Sequence, residues 1–234
     1  MTAVWKRECK AYFRTPLGYV IIAVAYFFTG YYFFTYNIYG GTTDFSRLYA
    51  LLFSVVLFLI PVLTMRLMSE EKKTKTDQLL LTAPVSRTAI VMGKYLSALC
   101  VFVIAIAGTL GTAVIASFYG QVDWPCVIGN FLGLLLLGIA QIAICLFLSS
   151  ITESQVIAAV LGFAAGLFLM LVDAISYVVK SQAAARVFSY ISFRERYEPF
   201  TLGIVELKNV VFFLSVGALF CAFSVAVLER KRWN

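Results

Sequence analysis

The chain has 234 residues, 62% hydrophobic and 13% charged, with a net charge of +7 and no histidine. A soluble globular chain carries roughly 25% charged residues, so too little polar surface is present to cover a water-facing particle. Composition therefore excludes a soluble enzyme and predicts a single-domain, all-α integral membrane protein spanning residues 1–234.

Trp5 to Pro16 places Trp5, Tyr12 and Phe13 among basic residues, the composition of a helix lying along a membrane surface. Pro16 and Gly18 then supply an elbow into the first span. No cleavable signal peptide is expected, because the first apolar run is long enough to span and no small-residue cleavage site follows it. A spanning helix needs about 20 apolar residues, and six runs meet this, at about 17–39, 48–68, 95–119, 127–149, 156–179 and 210–229. The runs are continuous rather than alternating, which excludes a β-barrel.

Span one is crowded with rings. An aromatic belt with packing accounts for them. A sharper alternative is a substrate path or outer gate, for which Tyr31, Tyr32 and Phe34 are candidates together with Asp173 and Glu206 near the far ends of spans five and six. Ionisable residues inside spans mark ion paths, but Arg66, Asp173, Glu206 and Lys208 all fall near interfaces. This lowers the case for a self-sufficient channel or carrier.

Between spans two and three lies the one long charged segment, Met65–Lys94. Ser69-Glu-Glu-Lys-Lys reads as solvated. Thr74-Lys-Thr-Asp77 fits a capping box that starts a short helix, about Lys75–Thr82, with an apolar ridge of Leu79, Leu80 and Ala83. Pro84 ends that helix, and Ser86 is an N-cap for the next one, which runs into span three. A surface helix that merely shields the bundle competes with a docking helix whose ridge enters a groove on a soluble partner. Spans four and five each carry a small-residue pair, Gly129/Gly133 and Gly162/Gly166, that allows close helix contact.

The N-terminal flank, the segment after span two and the C-terminal flank hold about twice as many lysines and arginines as the opposite set, Arg47, Lys180, Arg186, Arg194, Arg196 and Lys208. Both termini and the Met65–Lys94 segment are therefore expected on the cytoplasmic side. No Walker A pattern exists, since Gly93-Lys94 lacks the upstream glycine, and there is no metalloprotease or serine-hydrolase motif. The chain is expected to have no catalytic residues and no metal site. Its five cysteines, far apart, read as free thiols rather than a disulfide framework.

Tyr12-Phe-Arg-Thr-Pro-Leu-Gly18, Pro61-x-Leu-Thr-Met-Arg-Leu, Ser69-Glu-Glu, Thr76-Asp-Gln-Leu-Leu, Thr82-Ala-Pro-Val, Ser149-Ser-Ile-Thr-Glu153-Ser-Gln155 and Phe200-x-x-Gly203-Ile-x-Glu206 together resemble the permease subunits of type-2 ABC exporters, most closely the gliding-motility-type branch. The resemblance covers nearly the whole chain. It implies a multi-pass subunit of a bacterial plasma membrane, paired with a second permease copy or paralogue and with a separate ABC ATPase that binds ATP and Mg. This chain would bind no cofactor and no nucleic acid. An accessory extracytoplasmic protein is a further candidate partner.

The resemblance also implies that the loop between spans two and three holds the coupling helix, so that Glu70, Glu71, Thr76, Asp77, Leu79, Leu80 and Pro84 would meet the ATPase, with Glu153 in a second, smaller contact. About Lys180 to Asn209 would fold partly back into the outer leaflet. The competing function is a membrane anchor for a motility or surface machine, built on the same ATPase-docking helix but moving no solute.

Overall fold

The computed structural model describes residues 2–74, 86–178 and 190–230, with side chains described for all of these except 173–178. The described residues form helices and connecting turns, with no strand among them. Among the described residues six helices are long and apolar enough to cross a membrane, in agreement with the expected all-α architecture.

Helix α1, Thr2–Arg14, turns Val4 and Tyr12 inward. It stops because Thr15 precedes Pro16 and is held extended (φ −99°, ψ 153°), while Pro16 opens α2, Pro16–Tyr32. A Cβ on Gly18 would fall 2.6 Å from the Tyr12 carbonyl oxygen, so this close return of the chain requires glycine.

The expected first span is not one uniform helix. After Tyr32 it continues as a π-helical segment, Phe33–Ile38. There the Tyr39 N–H donates to the Phe34 carbonyl at 2.8 Å, five residues back. The altered register buries Asn37. The Asn37 amide donates to the carbonyls of Thr42 (3.1 Å) and Asp44 (2.9 Å), fastening the turn into the second span.

Helix α3, Ser46–Thr64, carries Pro61 in its interior. Proline has no N–H for the Leu57 carbonyl four residues earlier and its ring needs room. Helix α7, Gln155–Val178, supplies the room. A Cβ on Gly162 would lie 2.8 Å from the Pro61 ring, and one on Gly166 would lie 3.1 Å from the Leu57 oxygen. The Gly162/Gly166 pair therefore packs on the proline defect of α3.

Met65 separates α3 from α4, Arg66–Lys73. The polar stretch Ser69–Lys73, expected in water, instead continues as helix, with Ser69 fully buried and Glu70 and Glu71 half-buried. The short helix expected at Lys75–Thr82 lies outside the described residues. Helix α5, Arg87–Ser117, starts at the expected cap, Ser86, whose hydroxyl accepts from the Ala89 N–H at 3.3 Å. It begins two turns before the apolar run of span three.

Helix α6, Trp124–Ile151, is the axis of the bundle and the most buried span, packed by α3, α5, α7 and the C-terminal helix α9, Leu207–Arg230. Gly129 and Gly133 on α6 do not meet another span. They receive Gly203 and Phe200, from the short helix α8, Phe193–Thr201, and the turn after it. Gly203 adopts φ +75° to make that turn. Tyr197 of α8 donates to the Tyr49 carbonyl at 3.0 Å, and Asn130 of α6 donates to the Thr201 carbonyl at 3.2 Å. The described part of the expected fold-back thus packs into one end of the bundle.

Candidate functional site

At the end of the bundle where α1 and the last turn of α9 lie, α4 is fastened by several elements. Lys94, on α5, is 1% exposed. Its ammonium lies 2.9 Å from Glu71 Oε2 and 3.4 Å from Glu8 Oε1, and it donates to the Leu67 carbonyl at 2.5 Å. Arg7, on α1, donates at 2.6 Å to both Glu8 Oε1 and Glu71 Oε1. Two cations and two carboxylates from α1, α4 and α5 are thus joined in one network among the described residues. Burial works against the Arg7 charge, but the two carboxylates outweigh it and hold the guanidinium above its ordinary pKa.

Close approach of α1 makes the network possible. A Cβ on Gly93 would sit 2.9 Å from Val4 Cγ1 and 3.3 Å from the Trp5 nitrogen, so glycine beside Lys94 lets α1 lie flat on α5.

A second set of bonds reaches α4 from α6. The Ser149 hydroxyl accepts from the N–H groups of Met68 (3.2 Å) and Ser69 (3.3 Å) and donates to the Met65 carbonyl (3.2 Å). The break at Met65 would otherwise strand the Met68 amide, and Ser149 enters the gap in the ladder. Lys72 donates to the Ser150 carbonyl. A third set comes from the α1–α2 corner. Arg66 donates to Thr15 Oγ1 at 3.0 Å, pairs with Glu70 at 3.1 Å and lies over the Tyr12 ring, while Tyr12 donates to the Leu63 carbonyl at 2.7 Å.

Of the residues expected to meet an ATPase, Glu70 and Glu71 are engaged within the chain, and Glu153 is exposed in the turn between α6 and α7. Thr76, Asp77, Leu79, Leu80 and Pro84 lie outside the described residues. Lys94, Arg7, Glu8 and Ser149 were not anticipated as site residues. Lys94 counted only as a flanking charge, because span three was expected to start at residue 95. The signal for Ser149 lay in its small polar neighbourhood at a span end, which has many ordinary explanations.

Among the described residues and cavities, those expected to line a substrate path fall in different places. Tyr31 and Phe34 are exposed on the outer surface of the first span. Tyr32 lines an apolar groove of about 500 Å³ with Val24, Phe28, Phe58 and Phe163, between the first, second and fifth spans. Glu206 lines a separate polar cleft of about 610 Å³ with Arg196 and Asn209 at the start of α9. The Asp173 side chain lies outside the description. Among the described residues no group of histidine, cysteine, aspartate or glutamate has the arrangement of a metal site, and the five cysteines are free thiols.

No curated relative matches the chain. A family profile described as "ABC-2 family transporter protein" matches residues 33–232, from the π-helical segment of the first span to the end of the last. With six span-capable helices and a match over most of its length, the chain belongs to the ABC-2 transporter family and is a multi-pass membrane permease component.

Proposed function

We propose that this chain is the transmembrane half of an ATP-driven exporter of the gliding-motility-type branch, with both termini on the cytoplasmic side, and that α4 carries the motion of a separate ABC ATPase into the spans. The carrying observation is the fully buried Lys94 bonded to Glu71 and Glu8. A charged network in the interior costs several kcal/mol of desolvation per ion (about that order) and contributes little net stability over apolar packing. What it provides here is a stiff joint, because charge-assisted bonds in a low-dielectric site hold three helices in one geometry.

The expected docking residues Thr76, Asp77, Leu79, Leu80 and Pro84 follow α4 directly in the chain. A push on that segment would meet α4 first. From α4 it would pass through Lys94 into α5, through Ser149 into α6, and through Arg66 and Tyr12 into the start of α2. Glu153 is exposed at the second expected contact. The chain's own task is then binding and conformational change, with ATP and Mg on the ATPase and a second permease copy or paralogue across the path.

The test is Leu79→Glu with Leu80→Glu. The double variant is expected to insert normally, to lose co-purification with the ATPase and to abolish permease-stimulated ATP hydrolysis. Retention of both would overturn the docking role. ATP-dependent flux in proteoliposomes then separates export from the anchor reading, which predicts docking without flux.

A further inference from the structure

We propose that the polar cleft at the start of α9 is a lipid headgroup site in which Arg196 receives the phosphate. The cleft, about 610 Å³, is lined by Tyr190, Glu195, Arg196, Glu206, Lys208 and Asn209. The Arg196 side chain is fixed before any ligand arrives. Its Nη1 donates to Asn209 Oδ1 at 3.2 Å, and its guanidinium lies 5.8 Å from the Tyr190 ring centre and 5.2 Å from that of Phe212. Asn209 is itself 1% exposed and is held by donating to Glu206 Oε2 at 2.9 Å.

Glu206 takes its charge partner from Lys208, 2.9 Å away. Arg196 forms no ion pair among the described residues, and its one hydrogen bond is to a neutral amide. A guanidinium has five N–H donors in a planar fork that fits two oxygens of a phosphate. Here that fork is oriented by a buried amide and two rings, and most of its donors are left for something in the cleft.

The surroundings choose the kind of phosphate. Leu202, Ile204 and Val205, in the turn that leads to Glu206, are all more than half exposed, and on α9 the half-buried Phe212, against Arg196, and the exposed Leu219 follow Lys208 at helical spacing. A charged cleft at the end of a span, opening onto an apolar stripe down that span, matches an amphiphile with its phosphate in the cleft and its chains along the helix. The lining carries two carboxylates and two cations. This balance favours a headgroup that joins an ammonium to the phosphate, as in phosphatidylethanolamine. The site stands apart from the α4 network and does not depend on ATPase coupling.

The experiment is native mass spectrometry of the detergent-purified chain titrated with dioleoylphosphatidylethanolamine, dioleoylphosphatidylglycerol or dioleoylglycerol, with soluble phosphoethanolamine as competitor. The wild type is expected to retain phosphatidylethanolamine, to retain phosphatidylglycerol less and to ignore the phosphate-free lipid. Arg196→Ala is expected to weaken retention by about tenfold, the scale of a charge-assisted bond pair. Arg196→Lys, which keeps the charge and the amide contact but loses the fork, should fall between the two and serves as the folded variant if alanine unfolds the corner. Equal retention by the wild type and Arg196→Lys, or equal retention of dioleoylglycerol, would overturn the phosphate role. Stronger retention of phosphatidylglycerol would overturn the ammonium preference, and full displacement by soluble phosphoethanolamine would overturn the lipid source.

Discussion

Lys94 on α5 lies 2.9 Å from Glu71 on α4, and the pair is shielded from water by the helix that also supplies Arg7 and Glu8. Removing one member leaves a buried charge without its counter-charge, a loss of about 3–5 kcal/mol in comparable sites. Lys94→Met is therefore expected to destabilise strongly, and Lys94→Met with Glu71→Gln to recover part of the loss. Thermal unfolding of the single and double variants in lipid nanodiscs checks this. Strictly additive losses would show that the two side chains do not act as a pair.

Ser149 supports α4 in a different way, by accepting from two N–H groups at the Met65 break. Ser149→Ala leaves the Met68 N–H without a partner in a buried place, at a cost of about 1–3 kcal/mol, and the Ser69 N–H with only its bond within α4. The expected sign is local. Hydrogen exchange at Met68 and Ser69 should accelerate well beyond that at the core of α6, and uniform acceleration along the chain would refute the local role.

Apolar runs made the six spans legible in the sequence, and a chemical cap made the start of α5 legible at Ser86. The site was legible only as a place, the charged stretch after span two. Its bonding was not, because each contact joins residues far apart in the chain: Arg7 to Glu71, Lys94 to Leu67, Ser149 to Met68. Lys94 was missed because hydropathy marks where a run becomes apolar, whereas α5 begins at its cap two turns earlier and carries the lysine into the bundle. The π-helical segment was missed because it is an insertion in register, and no local composition distinguishes Phe33–Ile38 from the helix before it.

The proline defect of α3 sets a third expectation. Gly162 has no room for a methyl group, since a Cβ there would lie 2.8 Å from the rigid Pro61 ring. Gly162→Ala should cost about 1–3 kcal/mol by overpacking. With Pro61→Ala in the background the same substitution should cost less, because the ring is gone. Unfolding of the four proteins checks the interaction, and an unchanged cost in the Pro61→Ala background would exclude the ring as its cause.

Cys9 on α1 gives a pH-dependent reading of the α1–α5 contact. Burial, and after it the neighbouring Cys100 thiol, push its pKa from 9.0 up to about 11. The protonated thiol is the form favoured by the fold. Its contribution to stability is fully present below pH 9 and is lost as pH rises through 11. Two outcomes are expected. Cys9 should react slowly with iodoacetamide at neutral pH, where little thiolate exists. Melting temperature should also fall between pH 9 and 11 more steeply in the wild type than in Cys9→Ser, whose hydroxyl does not titrate there. Parallel pH profiles for the two proteins would show that Cys9 is not held in the α1–α5 seam, and with it that α1 does not stay seated on α5 in the membrane.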